Sequence, residues 1–142
     1  MTVARIINEK GRDVVTVAPG TSLEEIASTL SQKRIGAVVV AEDDAIRGIV
    51  SERDIVLAIA ANGAGALKKL ASECMTSRVV TCRMQDTIHD VMQKMTTGRF
   101  RHLPVVEEGR LSGIVSIGDV VKRRIEDVER EAEQIREYIA TA

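Results

Sequence analysis

Apolar positions along this chain follow two periods, and the whole series is written twice. From Leu23 the apolar residues Leu23, Ile26, Ala27 and Leu30 fall at i, i+3, i+4 and i+7. Ile88, Val91, Met92 and Met95 do the same further on. Each set makes one stripe down a helix. A short β-rich run precedes each helix, at 14–17 and at 79–82. After each helix come two apolar runs broken by acidic turn residues, GAVVVAEDDAIRGIVS and HLPVVEEGRLSGIVS, which predict a pair of strands around a tight turn. Thr21 or Ser22 is placed to cap the first helix and Asp86 or Thr87 the second.

A displacement of 65 residues lays 14–60 over 79–125 without a gap, and GIVSERD (48–54) falls on GIVSIGD (113–119). A second helix begins at each Ser-x-x-Asp, so each half reads β-α-β-β-α. A half of roughly 50 residues buries little core alone. The expected fold is therefore α+β, with two such repeats packed face to face about a pseudo-twofold axis. The expected divisions are 7–62, a linker at 63–76, a second repeat at 77–125, and a C-terminal helical extension at 126–142. In that extension Val121, Ile125, Val128, Ala132, Ile135 and Ile139 step by four and three, an a/d seam without Gly or Pro. It predicts one long helix. Its stripe needs a cover: its own module, the N-terminal VARII of a sister copy, or a second copy of the same seam.

Composition narrows the function classes. A net charge of −1 gives no global field to draw nucleic acid or an anionic membrane. One Phe, one Tyr and no Trp leave almost nothing for base stacking. Cys74 and Cys82, with His89 and His102, match neither a redox pair nor a zinc spacing. No metal site and no catalytic residues are expected. No signal-peptide core or membrane-length apolar run is present, and the expected location is cytoplasmic.

Ser-x-x-Asp at a helix start has two readings. As a capping box, the serine serves the amide three residues on and the acid returns the bond. As a binding site, the helix start offers free amides to an anion, and the aspartate accepts from a pair of hydroxyls. A diol beside a phosphate is a nucleotide. Gly48 and Gly113, just upstream, allow close backbone approach.

The two halves resemble a tandem pair of CBS domains. The residues that carry the resemblance are DVVTVAP and RVVTCRM, IGAVVV and RHLPVV, GIVSERD and GIVSIGD, and the ECMTS before the second repeat. The resemblance implies an adenosine compound (AMP, ADP, ATP or NAD class) in the clefts between repeats, with binding reported to another protein. It implies that Asp54 and Asp119 hold ribose hydroxyls, with Ser51 and Ser116 beside ribose or phosphate. Thr16 and Thr81 match a polar position on the entry strand. Ile35, Gly36 and Ala37, and Leu103 with Pro104, match the apolar edge against the base. Arg101 and His102 match phosphate-contacting positions, and Arg53 and Arg99 add guanidinium groups suited to phosphate. The expectation is a regulatory module that is not an enzyme, acts in trans on an unidentified partner and forms a homodimer. It should not engage membrane, and nucleic acid is a poor candidate. The alternative is a structural or adaptor protein whose Ser-x-x-Asp motifs are only caps.

Overall fold

The computed structural model describes residues 1–141. Its elements run α1 (Val3–Lys10), β1 (Thr16–Val17), α2 (Leu23–Lys33), β2 (Ala37–Glu42), β3 (Ala45–Ser51), α3 (Glu52–Asn62), a 3-10 turn (Gly63–Lys68), α4 (Ala71–Cys74), α5 (Ile88–Gly98), β4 (His102–Glu107), β5 (Arg110–Ser116) and α6 (Ile117–Thr141). The fold is α+β with two small sheets and one long C-terminal helix.

Local rules account for most boundaries. Ser22 Oγ accepts the Glu25 amide at 3.2 Å, and Thr87 forms a full capping box with Asp90. Asp86 caps nothing and accepts the Arg83 amide instead. Both α2 and α5 end on an arginine in the left-handed region, Arg34 (φ 54°) and Arg99 (φ 57°), a conformation uncommon outside glycine. The two hairpin turns also match. Asp43 and Asp44, then Glu108 and Gly109, take successive positive φ values, as two-residue turns between right-twisted strands require. Each hairpin carries an irregularity at the same place, between Val40 and Ala41 and between Val105 and Val106.

The stripes bury as their spacing demands, with exceptions. Leu23, Ile26 and Leu30 are buried with Val38, Val40 and Val50 in one core; Ile88, Val91 and Met95 are buried with Leu103, Val105 and Val115 in the other. Ala27 is only half-buried and Met92 is exposed. The first β-rich run shrinks to Thr16–Val17, parallel to β2. The second is an isolated bridge rather than a strand: Cys82 pairs with Val105, its amide donating to Pro104 O and its carbonyl accepting the Val106 amide.

The unexpected feature is a crossed exchange of helices. The expected first boundary at 7 cuts through α1, which starts at Val3 and puts Val3, Ile6 and Ile7 in the core of the second repeat. α4, which precedes the second repeat, packs on the first through Ala71. The bonding is the same in both places. The Ala71 amide donates to Thr21 O, Ser72 to Pro19 O, and Leu23 to Lys69 O; likewise Val3 donates to Asp86 O, Ala4 to Met84 O, and Ile88 to Met1 O. Each repeat thus carries the other's leading helix. The two halves meet where β2 and β4 begin: a Cβ built on Gly36 would stand 3.0 Å from His102 Nε2. Among the described residues, no helix is long and apolar enough to cross a membrane.

Candidate functional site

Each Ser-x-x-Asp is a capping box, and the first opens on a cavity. At the start of α3, Asp54 Oδ2 accepts the Ser51 amide at 2.9 Å and its hydroxyl at 3.1 Å, while the Asp54 amide donates to Ser51 Oγ at 3.3 Å. Asp54 Oδ1 accepts the Thr76 hydroxyl at 3.1 Å. A carboxylate has about four acceptor directions, so three of them serve the chain itself and one remains for a ligand hydroxyl.

The cleft beside Asp54 has a volume of about 340 Å³ and draws on both repeats. The first repeat supplies Gly36 at the start of β2 and Ser51, Arg53 and Asp54 at the start of α3. Across it stand Arg99, Phe100, Arg101 and His102, the turn that leads from α5 into β4. The floor is the stretch Thr76, Arg78, Val79 and Val80 between α4 and α5. Four arginines (Arg53, Arg78, Arg99 and Arg101) therefore rim one cleft, against two carboxylates, Glu52 and Asp54. Among the described residues none of the four pairs with a carboxylate. A hollow lined by unneutralised guanidinium groups favours a phosphorylated ligand.

His102 sits at the back of this rim. Burial lowers its pKa, the Lys10 charge adds to that, and the carboxylates of Asp119 and Glu52 act in the opposite sense without overcoming it. It is therefore a neutral imidazole near pH 7, a hydrogen-bonding group rather than a fifth positive charge.

The second Ser-x-x-Asp differs. Asp119 Oδ2 accepts the Ser116 amide at 2.9 Å, and the Asp119 amide donates to Ser116 Oγ at 3.2 Å. The same Oδ2 also holds the Lys10 ammonium at 2.7 Å, and that ammonium donates to Ile114 O at 3.0 Å. Burial pushes the Asp119 carboxyl up, but the Lys10 bond, the Ser116 amide and the Lys10 charge together hold it below the ordinary carboxylate range. The last turn of α1 thus occupies the position that Asp119 offers.

Of the residues singled out from the sequence, Gly36, Ser51, Arg53, Asp54, Arg99, Arg101 and His102 converge on the cleft. Thr16 is exposed on β1 and does not line it; Ile35 packs into the first core, and Ala37 is buried opposite Ser51. Thr81 gives its carbonyl to Lys94, Leu103 is wholly buried in the second core, and the Pro104 carbonyl takes the Cys82 amide. Gly48 and Gly113 do allow close approach, but of protein: a Cβ there would meet Met75 and the Thr76 carbonyl, or Ile7. Sequence reasoning missed Thr76, Arg78, Val79, Val80 and Phe100 as lining residues. The signal was available in register: Ile7 and Lys10 stand to Met75 and Arg78 at one spacing of 68, the spacing that also relates Val3 to Ala71.

Comparison with known proteins gives the same architecture. The family model described as CBS domain matches residues 3–61 and 71–126, so each match starts at the head of an exchanged helix. A CBS-domain-containing protein from Agrobacterium tumefaciens is 51% identical with a TM-score of 0.85, covering 87% of this chain and 99% of that one. A CBS domain protein from Pyrobaculum aerophilum complexed with AMP is 28% identical with a TM-score of 0.74, over 84% and 89% of the two chains. The CBS domain pair of protein MJ0100, in complex with 5′-methylthioadenosine and S-adenosylmethionine, is 27% identical with a TM-score of 0.76, over 86% and 98%.

Proposed function

Since this chain belongs to the CBS-domain family, with two copies of that domain, we propose that it is a regulatory module that binds an adenosine nucleotide and acts in trans on another protein. The observation that carries the reading is the cleft at Asp54, where a ribose-ready carboxylate faces four unpaired arginines. Relatives of the same fold are complexed with AMP, and with S-adenosylmethionine and 5′-methylthioadenosine. The arginines favour a phosphate-bearing compound (AMP, ADP, ATP or NAD) over a cationic sulfonium.

In this reading Asp54 takes a ribose hydroxyl, with Ser51 beside it. Gly36 lets the base approach the start of β2. Arg53, Arg78, Arg99 and Arg101 share the phosphates, and His102 donates or accepts as a neutral ring. Ser116, Asp119, Thr81, Leu103 and Pro104 would make a second site that a ligand enters only by displacing Lys10. The module works without catalysis of its own, as a cytoplasmic homodimer. A ligand signals only by binding one arrangement better than another.

The capping boxes favour a second reading, in which Ser51–Asp54 and Ser116–Asp119 are structural only and the protein is an adaptor. Thermal unfolding with AMP, ADP, ATP, NAD and S-adenosylmethionine, in wild type, Asp54→Ala and Asp119→Ala, separates the two. A nucleotide at about 100 times its dissociation constant adds about 2.7 kcal/mol. The expected result is a shift with a phosphorylated compound that Asp54→Ala abolishes and Asp119→Ala retains. If both variants melt early and no compound shifts wild type, the motifs are caps and the nucleotide reading falls.

A further inference from the structure

The long helix α6 turns its polar edge inward and its apolar edge out. The side facing the module buries only Val120 and Arg123. Arg123 is 4% exposed and donates to Glu9 of α1 at 2.9 Å and to Glu126 at 3.3 Å. The opposite side carries the a/d stripe: Val121 (49%), Ile125 (52%), Val128 (47%), Ile135 (60%) and Ile139 (69%) remain exposed, and only Ala132 is half-buried. Among the described residues past Asp127 none is buried, so about 14 residues, roughly 21 Å of helix, stand clear of the fold. The stripe does not fold back on its own module. The VARII segment offers no cover either, since Val3, Ile6 and Ile7 are already buried in the second core.

The charges beside the stripe say what does cover it. With Ile125 as a and Val128 as d, the g positions are Arg124, Glu131 and Tyr138 and the e positions are Lys122, Glu129 and Arg136. In a parallel pair of identical helices, g meets the e five residues on in the partner, which sets Arg124 against Glu129 and Glu131 against Arg136. In an antiparallel pair g meets g and e meets e, and the register that sets Arg124 against Glu131 sets Lys122 against Glu129. Both charged contacts of the parallel pair are between opposite charges, whereas antiparallel stripes in full overlap set Glu129 against Glu129 and Glu131 against Glu131, so the stripe is complementary to itself in the parallel orientation.

We propose that the exposed a/d face of α6 seats on the same face of a second copy of this chain, forming a two-stranded helical seam. The proposal rests on the homodimer reading above and locates its interface. Binding of a copy here leaves the cleft at Asp54 untouched.

Sedimentation equilibrium of the full chain tests it. Wild type should be a dimer at micromolar concentration. Val128→Asp/Ile135→Asp should raise the dimer dissociation constant by about 100-fold or more, since two charges then stand on the apolar seam, while the module's thermal transition and any nucleotide response stay as in wild type. Arg124→Glu should weaken the dimer several-fold. Adding Glu129→Arg restores it if the helices are parallel, and adding Glu131→Arg restores it if they are antiparallel. A monomeric wild type overturns both the homodimer reading and the seam. A dimer that the aspartates leave intact overturns the seam alone, as does an Arg124→Glu loss that neither second substitution rescues, or a wild-type assembly larger than two. The nucleotide reading is settled separately, by the ligand shift.

Discussion

Gly48 and Gly113 occupy equivalent positions in β3 and β5, opposite Val40 and Val105, yet alanine at the two should have unequal costs. Neither has a positive φ, so alanine fits both backbones and brings about 0.5–1 kcal/mol from reduced unfolded-state freedom. The surroundings differ. A Cβ at Gly48 would lie 2.6 Å from Met75 Sδ and 2.8 Å from the Thr76 carbonyl oxygen. Methionine can move, but that carbonyl accepts the Ile49 amide at 3.0 Å, and the Thr76 amide donates to Ile49 O at 2.8 Å. Relief therefore means pushing the segment off β3 and weakening two hydrogen bonds of about 1 kcal/mol each. With the overpacking cost and the alanine gain, the net loss is about 2 kcal/mol. A Cβ at Gly113 would meet chiefly the end of the Ile7 side chain, Cδ1 at 2.8 Å, with the next atoms at 3.5 Å and beyond. A small rotation relieves it, and the net loss is about 1 kcal/mol or less. Thermal unfolding at roughly 4 °C per kcal/mol should lower the midpoint by about 8 °C for Gly48→Ala and less than half that for Gly113→Ala. Gly48→Ala should also weaken nucleotide binding, because the displaced segment carries Thr76 and Arg78 of the cleft. Equal losses, or a larger loss at Gly113, would refute the claim that backbone contact at Gly48 and side-chain contact at Gly113 set the difference.

Lys10→Met should cost less than about 1 kcal/mol, because the pair with Asp119 is partly exposed, and urea midpoints should show the variant less sensitive to added salt than wild type. His102 is neutral when folded and has a lowered pKa, so the unfolded chain takes up its proton first as pH falls. Stability should therefore drop as pH is lowered through the ordinary histidine value near 6.5, and His102→Gln should flatten that slope in denaturant titrations between about pH 7 and 5. Burial pushes the Cys82 thiol up to about 11, with Asp86 adding to the shift. At pH 8 it should resist a thiol-directed reagent in the native protein and react only on unfolding, as read by mass spectrometry; rapid native labelling of Cys82 would contradict its burial.

What the sequence determined by itself was everything written in short-range pattern. Helical stripes, capping serine and threonine, two-residue turns and the doubled GIVS-x-x-D are local, and each was formed where its period or its turn chemistry required. The half-site at Asp54 was legible for that reason, since Ser51 and Asp54 are three apart on one helix start. Met92 and the run 79–82 misled because apolar spacing cannot say whether a partner surface is there to receive it. Tertiary structure decided which leading helix packs on which repeat. α1 (VARIINEK) and α4 (ASEC) share little in sequence, and only the assembled cores show that they are exchanged. That exchange brings Thr76 and Arg78 under Asp54 but Lys10 onto Asp119, so two nearly identical motifs become one open cleft and one latched carboxylate. A repeat in sequence encodes equal local structure. The different charges that arrive from distant segments make the two sites unequal, and no local pattern records those arrivals.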